Sequence, residues 1–174
     1  MRLILVRHAR TILQDKKIIA GSNVDAGLSH PGKGQAKALG AQIETIPLWF
    51  VSPMQRAQET AAIAAEAAGT KPKLVTVPAL IERDYGEADG KTIPWVMERY
   101  GYYAHDDWDT QHDQAPPGGE TLAQVRLRVL DWWRGQDVEE AVVIAHKHVL
   151  RMLHHGLTGD DYEPRNAEPM EVVL

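Results

Sequence analysis

Cysteine is absent from the chain. Its absence excludes a disulfide framework, a thiolate zinc site and a cysteine nucleophile, and it fits a cytoplasmic protein. Long hydrophobic runs are absent too. Nothing approaches the roughly 18–20 apolar residues that span a bilayer, so no membrane partner is expected. Met1 and Arg2 precede a run of only four apolar residues, Leu3 to Val6, too short for a signal peptide. Basic blocks are also missing. The formal net charge is −5 and no run of five cations occurs, so a nucleic-acid partner is not expected. An acidic chain binds an anion only through a local cluster of cations. What is present suits a globular fold. With 174 residues, 44% hydrophobic and 25% charged, the chain can bury a core as one domain over 1–174 and is neither disordered nor fibrous.

Short apolar runs mark the strands. Residues 2–6 (RLILV), 48–51 (LWFV), 74–77 (LVTV) and 141–145 (AVVIA) read as strands of a parallel sheet, with 170–174 as a further candidate. Helical periodicity fills the gaps. Residues 29–45 start with Ser29 as N-cap and put Ala36, Leu39 and Ile43 on one face. Residues 52–68 carry Ser52 as N-cap, Pro53 at the first helical position and Gln55 at a capping-box spacing, with Gly69 as the stop. Residues 121–134 and 149–157 supply two more helices, the last interrupted or ended at Gly156. Strands alternating with helices predict an α/β fold, a three-layer sandwich with a mostly parallel central sheet flanked by helices. The stretch 84–119, with Pro94, Pro116, Pro117 and several aromatics, has no clear pattern and reads as a lid or cap.

Open parallel sheets bind ligands beyond the carboxyl ends of their strands. The first run leads there to Arg7 and His8, the second to Arg56 in a capped helix, and the fourth to His146, Lys147 and His148. If these strands are neighbours, two His and two Arg meet beside a helix N-terminus. That is an anion site suited to a phosphoryl group. Arginine presents forked donors to phosphate oxygens. A neutral imidazole can attack phosphorus and leave again, so covalent catalysis needs no metal.

Four blocks resemble, in order and spacing, motifs of the histidine phosphatase superfamily, which includes the cofactor-dependent phosphoglycerate mutases. They are LVRHA at 5–9, LSHPGKGQA at 28–36, SPMQRAQETA at 52–61 and AHKHVLR at 145–151. Two weaker blocks agree, LIERDYG at 80–86 and PGGETL at 117–122. The resemblance implies a phosphoglycerate mutase-like fold and a set of roles. His8 would be the nucleophile that becomes phosphohistidine. Arg7, Arg56 and His146 would hold the phosphoryl oxygens and stabilise charge in the transition state. Glu82 would protonate the leaving alkoxide and then deprotonate water. Thr11, Gln14, Tyr85 and His148 would contact phosphate or substrate. For phosphatase members the resemblance implies no metal and no organic cofactor. The chain departs from the motifs at Ala9 and Lys147, where glycine is usual, at Arg10, where an acidic or polar residue is common, and at Gln14, which stands for asparagine. Alanine would resist a positive φ that glycine permits.

Taken singly, these residues have bland readings. Arg7 can end a strand in solvent, His8 can be a satisfied core histidine, and Arg56 can pair with Glu59 on a helix surface. Glu82-Arg83-Asp84 alone reads as a solvated turn, and His146 with His148 as a metal pair. Their joint occurrence at strand ends favours catalysis. The leading expectation is a metal-independent phosphomonoesterase acting through phosphohistidine on a small phosphorylated metabolite, with that substrate or inorganic phosphate as its partner. One alternative is a cofactor-dependent phosphoglycerate mutase, which ERDYG around Glu82 favours. A second is a metallohydrolase using His8, Glu82, His146 and His148, and a third is a non-catalytic binder of phospho-ligands. The run HDDWDTQHD at 105–113 has four Asp and no Lys or Arg. It suits a small or uncharged leaving group better than the second phosphate of a mutase.

Overall fold

Side-chain alternation within the apolar runs decides how the sheet is covered. In a computed structural model that describes residues 1–43, 46–101, 111 and 113–174, four runs form parallel strands. They are β1 (Arg2–Arg7), β2 (Leu48–Val51), β3 (Lys73–Thr76) and β4 (Glu140–Ala145). β5 (Pro169–Val173) pairs antiparallel with β1, giving the order β3-β2-β4-β1-β5. The connections hold α1 (Ile12–Asp15), α2 (His30–Gly40), α3 (Gln55–Ala68), α4 (Ile93–Tyr100), α5 (Leu122–Arg134) and α6 (Lys147–Thr158). The expected α/β architecture with a mostly parallel sheet is observed.

Successive strand residues face opposite layers. Leu3, Leu5 and Val143 pack with Val125, Val129, Val149 and Leu153 of α5 and α6. Ile4, Val6, Val142 and Ile144 pack on the other side with Leu39, Ala57, Ala61 and Ala64 of α2 and α3. Each such Leu, Ile or Val side chain contributes about 1.5–3 kcal/mol by its burial. With both faces covered, the inner strands can present polar groups only past their ends. His8, Ser52 and His146 stand there, next to Arg7 at the last position of β1.

Several boundaries differ from expectation. Ser52 does not cap α3. The N-cap is Met54, which makes no side-chain cap bond. Ser52 Oγ instead accepts from the Met54 N–H at 3.3 Å and faces His146. β3 begins one residue early and is mostly exposed, because it is the sheet edge. α2 ends at Gly40, before the expected limit, and residues 44 and 45 lie outside the described residues. α6 runs from Lys147 through Gly156 to a stop at Gly159, whose φ is 83°. Gly156 is a packing site: a Cβ there would stand 2.5 Å from Leu130 Cδ2 on α5. The stretch 84–119 is not wholly irregular, since it contains α4, capped by Thr92. Most of the acidic run at 105–113 lies outside the described residues.

Candidate active site

The sheet order makes β2, β4 and β1 neighbours, so the strand-end convergence is met. Arg7 lies opposite Ala145 and Val51 opposite Ile144. The backbone N–H of His8 donates to Ala145 O at 2.9 Å, and that of Ser52 to Ile144 O at 3.0 Å. His8, Ser52 and His146 therefore emerge side by side.

The partners of each ring fix its protons. His8 Nδ1 is 2.8 Å from Ala9 O. A carbonyl only accepts, so Nδ1 carries the proton and Nε2 keeps its lone pair. Burial, then Arg56 and Arg7, pushes the His8 pKa down to about 3, so the ring is neutral near pH 7. Ala9 does not adopt a positive φ. Its N–H donates to Thr60 Oγ1 at 3.0 Å, and the alanine fits without strain. The His146 ring centroid is 5.1 Å from that of His8. Its Nδ1 accepts from Arg56 Nε at 3.2 Å, which leaves Nε2–H to donate to Ser52 Oγ at 2.7 Å. Burial and then Arg56 hold His146 well below its usual pKa, so it too is neutral.

The two arginines are placed differently. Arg56 is 1% exposed. Besides His146, its guanidinium donates to Val24 O, Asp25 Oδ1, Ala20 O and Gly21 O at 3.0–3.1 Å. All five of its N–H groups are thus engaged, and they clamp the loop 20–25 to α3. Asp25 completes this clamp by accepting from the Gln55 N–H at the uncapped start of α3. Arg7 donates to Pro164 O at 3.1 Å, while its Nε is buried with no hydrogen-bond partner among the described residues. A buried charged donor left over on a cavity wall gains a partner from an anion.

Glu82, Tyr85 and His148 form the opposite wall, all buried. Glu82 Oε1 accepts from the Arg83 N–H at 2.9 Å, and Oε2 is 3.7 Å from His148 Nδ1. The Tyr85 hydroxyl is 3.3 Å from His148 Nε2. This segment is no solvated turn. Arg83 is fully buried, with Nε donating to Glu120 O at 2.7 Å. The two weaker sequence blocks buckle together here. Glu120 N–H donates to Asp84 O at 2.9 Å, and Glu87 N–H to Pro117 O at 3.0 Å. Gly86 allows it, with φ at 49° and a Cβ that would stand 2.1 Å from Pro117 O.

These walls enclose a cavity of about 400 Å³. Of the expected site residues, Arg7, His8, Thr11, Gln14, Arg56, Glu82, Tyr85 and His148 line it; His146 lies behind His8. Thr11 and Gln14 form the capping box of α1, so their side chains also hold each other. Sequence reasoning missed Asn166, whose Nδ2 donates to His8 O at 2.7 Å. It sits in none of the recognised blocks. It also missed the apolar mouth formed by Ile18, Ile19 and Ile93, and Lys17 with φ at 55° beside them. Among the described residues no group of three His, Asp or Glu is placed to hold a metal ion. No described helix is long and apolar enough to cross a membrane.

Comparison with known proteins gives the family and the fold. Residues 3–171 match the model of the histidine phosphatase superfamily (branch 1). The chain is 32% identical to the phosphoglycerate mutase of Schizosaccharomyces pombe, over 94% of this chain and 83% of that protein. It is also 32% identical to the 2,3-bisphosphoglycerate-dependent phosphoglycerate mutase of Parvibaculum lavamentivorans, over 87% of this chain and 77% of the relative. A crystal structure of a Thermus thermophilus protein superimposes with a TM-score of 0.80 at 28% identity, covering 99% of this chain and 93% of that one. A putative alpha-ribazole-5'-P phosphatase from Escherichia coli has the same fold, with a TM-score of 0.83 at 22% identity over 98% and 89% of the two chains.

Proposed function

Because the chain belongs to the histidine phosphatase superfamily (branch 1), we propose that it hydrolyses a small phosphomonoester through a phosphohistidine at His8. The observation that carries this reading is the neutral His8, its Nδ1 spent on Ala9 O and its Nε2 left with a lone pair. The phosphoryl group sits against Arg7, whose Nε has a donor to give. Arg56 adds fixed positive charge close by, which stabilises the transition state as negative charge shifts. His8 Nε2 attacks phosphorus, the alkoxide leaves with a proton from the Glu82–His148 side, and water then releases phosphate with Glu82 as base. The cations of the cavity supply the charge this chemistry needs.

A mutase is the second reading, favoured by relatives at 32% identity that carry that name. A mutase must hold a doubly phosphorylated intermediate. Residues 100–125 contain no Lys or Arg, whereas Arg10, Lys17 and Lys147 on the cavity wall are cations that a second phosphate can meet, so the fate of the phosphoryl group decides between the two. The test is a chase of ³²P-labelled enzyme in EDTA. Transfer of label to water at the rate of turnover is expected. Transfer mainly to a phosphoglycerate acceptor overturns hydrolysis in favour of the mutase, and failure to label His8 overturns both.

A further inference from the structure

The resemblance assigns Glu82 two opposite tasks, giving a proton to the leaving group and taking one from water. Its surroundings suit only the second. Burial favours the acid form, but the hydrogen bond and charge of His148 and the Arg83 N–H together hold Glu82 below the usual carboxylate range. A carboxylate has no proton to give. His148, facing it from the first turn of α6, can carry one.

The geometry lets both groups serve one oxygen. Glu82 Oε2 and His148 Nδ1 are 3.7 Å apart. Two atoms at that separation can each lie about 2.8 Å from a single oxygen, an ordinary hydrogen-bond length. Tyr85 packs edge-on against the His148 ring at 5.7 Å between centroids and faces its Nε2 with the hydroxyl. That contact fixes which ring nitrogen turns to Glu82. Both His148 and Glu82 line the cavity with His8.

We infer that acid and base are divided between two residues, with His148 the general acid and Glu82 the general base. His148 Nδ1 gives its proton to the leaving oxygen as that P–O bond breaks and the bond from phosphorus to His8 Nε2 forms. The products are the free alcohol, phosphohistidine and a neutral His148. Glu82 Oε2 then takes a proton from water as its oxygen bonds to phosphorus and the bond to His8 breaks. That proton passes from Glu82 to His148 and restores the starting state, so the net reaction is hydrolysis alone. This inference rests on the phosphohistidine reading.

Rapid-quench kinetics on the full chain separate the steps. His148→Asn keeps a polar side chain of similar reach without the acid. It should slow the phosphoenzyme burst with an alkyl phosphate by about 10²-fold or more, the scale of general acid catalysis. The burst with 4-nitrophenyl phosphate, whose leaving group needs no proton, should stay within about 3-fold, as should the chase of phosphoenzyme by water. Glu82→Gln should slow the chase for every substrate. His148→Gln is the second variant if Asn fails to fold, with near-ultraviolet circular dichroism as the check. An equal loss on alkyl and aryl substrates makes His148 a structural residue and overturns the inference, and so does no loss on either. Absence of any phosphoenzyme in the unmodified protein is a separate outcome and overturns the underlying reading.

Discussion

The floor of the cavity is built at strand ends and its wall in loops, and the two are held differently. On the floor, His8, Ser52, Arg56 and His146 are fixed by hydrogen bonds of 2.7–3.2 Å to backbone or to one another. On the wall, the contacts of His148 with Tyr85 and Glu82 are 3.3 and 3.7 Å, and the segment is held by a buckle between two loops. In the proposed reaction the floor meets the phosphoryl group, which every phosphomonoester shares, so a preorganised array is useful there. The wall would then meet the leaving group, which varies, and loops tolerate change where strands do not.

The sharpest way to break this contrast is to remove the proposed nucleophile. His8→Ala should lower turnover by about 10⁴-fold or more for alkyl and aryl substrates alike, as loss of a covalent nucleophile does. The fold should survive, because His8 sits past the end of β1 rather than in either apolar layer. A variant keeping a tenth of the activity removes His8 from its role. Arg7→Ala comes next. Losing one charge-assisted donor to the transition state costs about 10²–10³-fold in kcat. If only KM rises, the floor binds phosphate without stabilising its transfer, and the contrast with the wall loses its catalytic meaning.

The floor is far more legible in the sequence than the wall. Apolar runs of strand length mark β1, β2 and β4, and whatever follows a doubly covered strand must be polar. Arg7, His8 and His146 follow from that logic alone. Arg56 follows from it with the wrong local reason, since Ser52 turns from capping α3 to receiving His146. A capping-box spacing states what a serine can do, and a buried imidazole nearby outcompetes the helix end. Of the wall, only His148 follows from strand-end logic; Glu82 and Tyr85 are visible only through resemblance. Glu82 and Arg83 look like a surface turn because their burial depends on Glu120 and Pro117, more than thirty positions away. Asn166 and the loop contacts of Arg56 have no local signal, because backbone carbonyls accept regardless of sequence.

Asp25 tests whether the floor's rigidity is itself functional. Asp25→Ala takes one acceptor from Arg56 and one from the Gln55 N–H. Leaving a buried charged donor short of a partner costs about 1–3 kcal/mol, and denaturant midpoints would read that loss. Loosening the loop 20–25 also frees Arg56 to shift relative to His146. We expect kcat to fall about 10-fold, the effect of a small misplacement near the chemistry. Stability lost with kcat unchanged would mean that the clamp serves folding alone.

The smallest effect is also the most direct measure of how the floor is buried. In the folded chain His8 has its pKa pushed down to about 3, while its ordinary value is 6.5. Above pH 6.5 neither state binds the proton and His8 costs nothing. Below 6.5 the unfolded chain takes a proton that folded His8 refuses, so stability falls with pH until the folded pKa near 3 is reached. Each such proton is worth up to about 1.4 kcal/mol per pH unit. His146, also held low, acts in the same direction. Glu82 enters only as pH falls below its usual 4.5, so the window from pH 6.5 to 5 keeps its titration out of the comparison, and His8→Asn then separates His8 from the other groups. Urea midpoints across that window should decline for the unmodified chain and decline less for His8→Asn, by the slope of one proton. Parallel curves would mean that His8 titrates normally in the folded state.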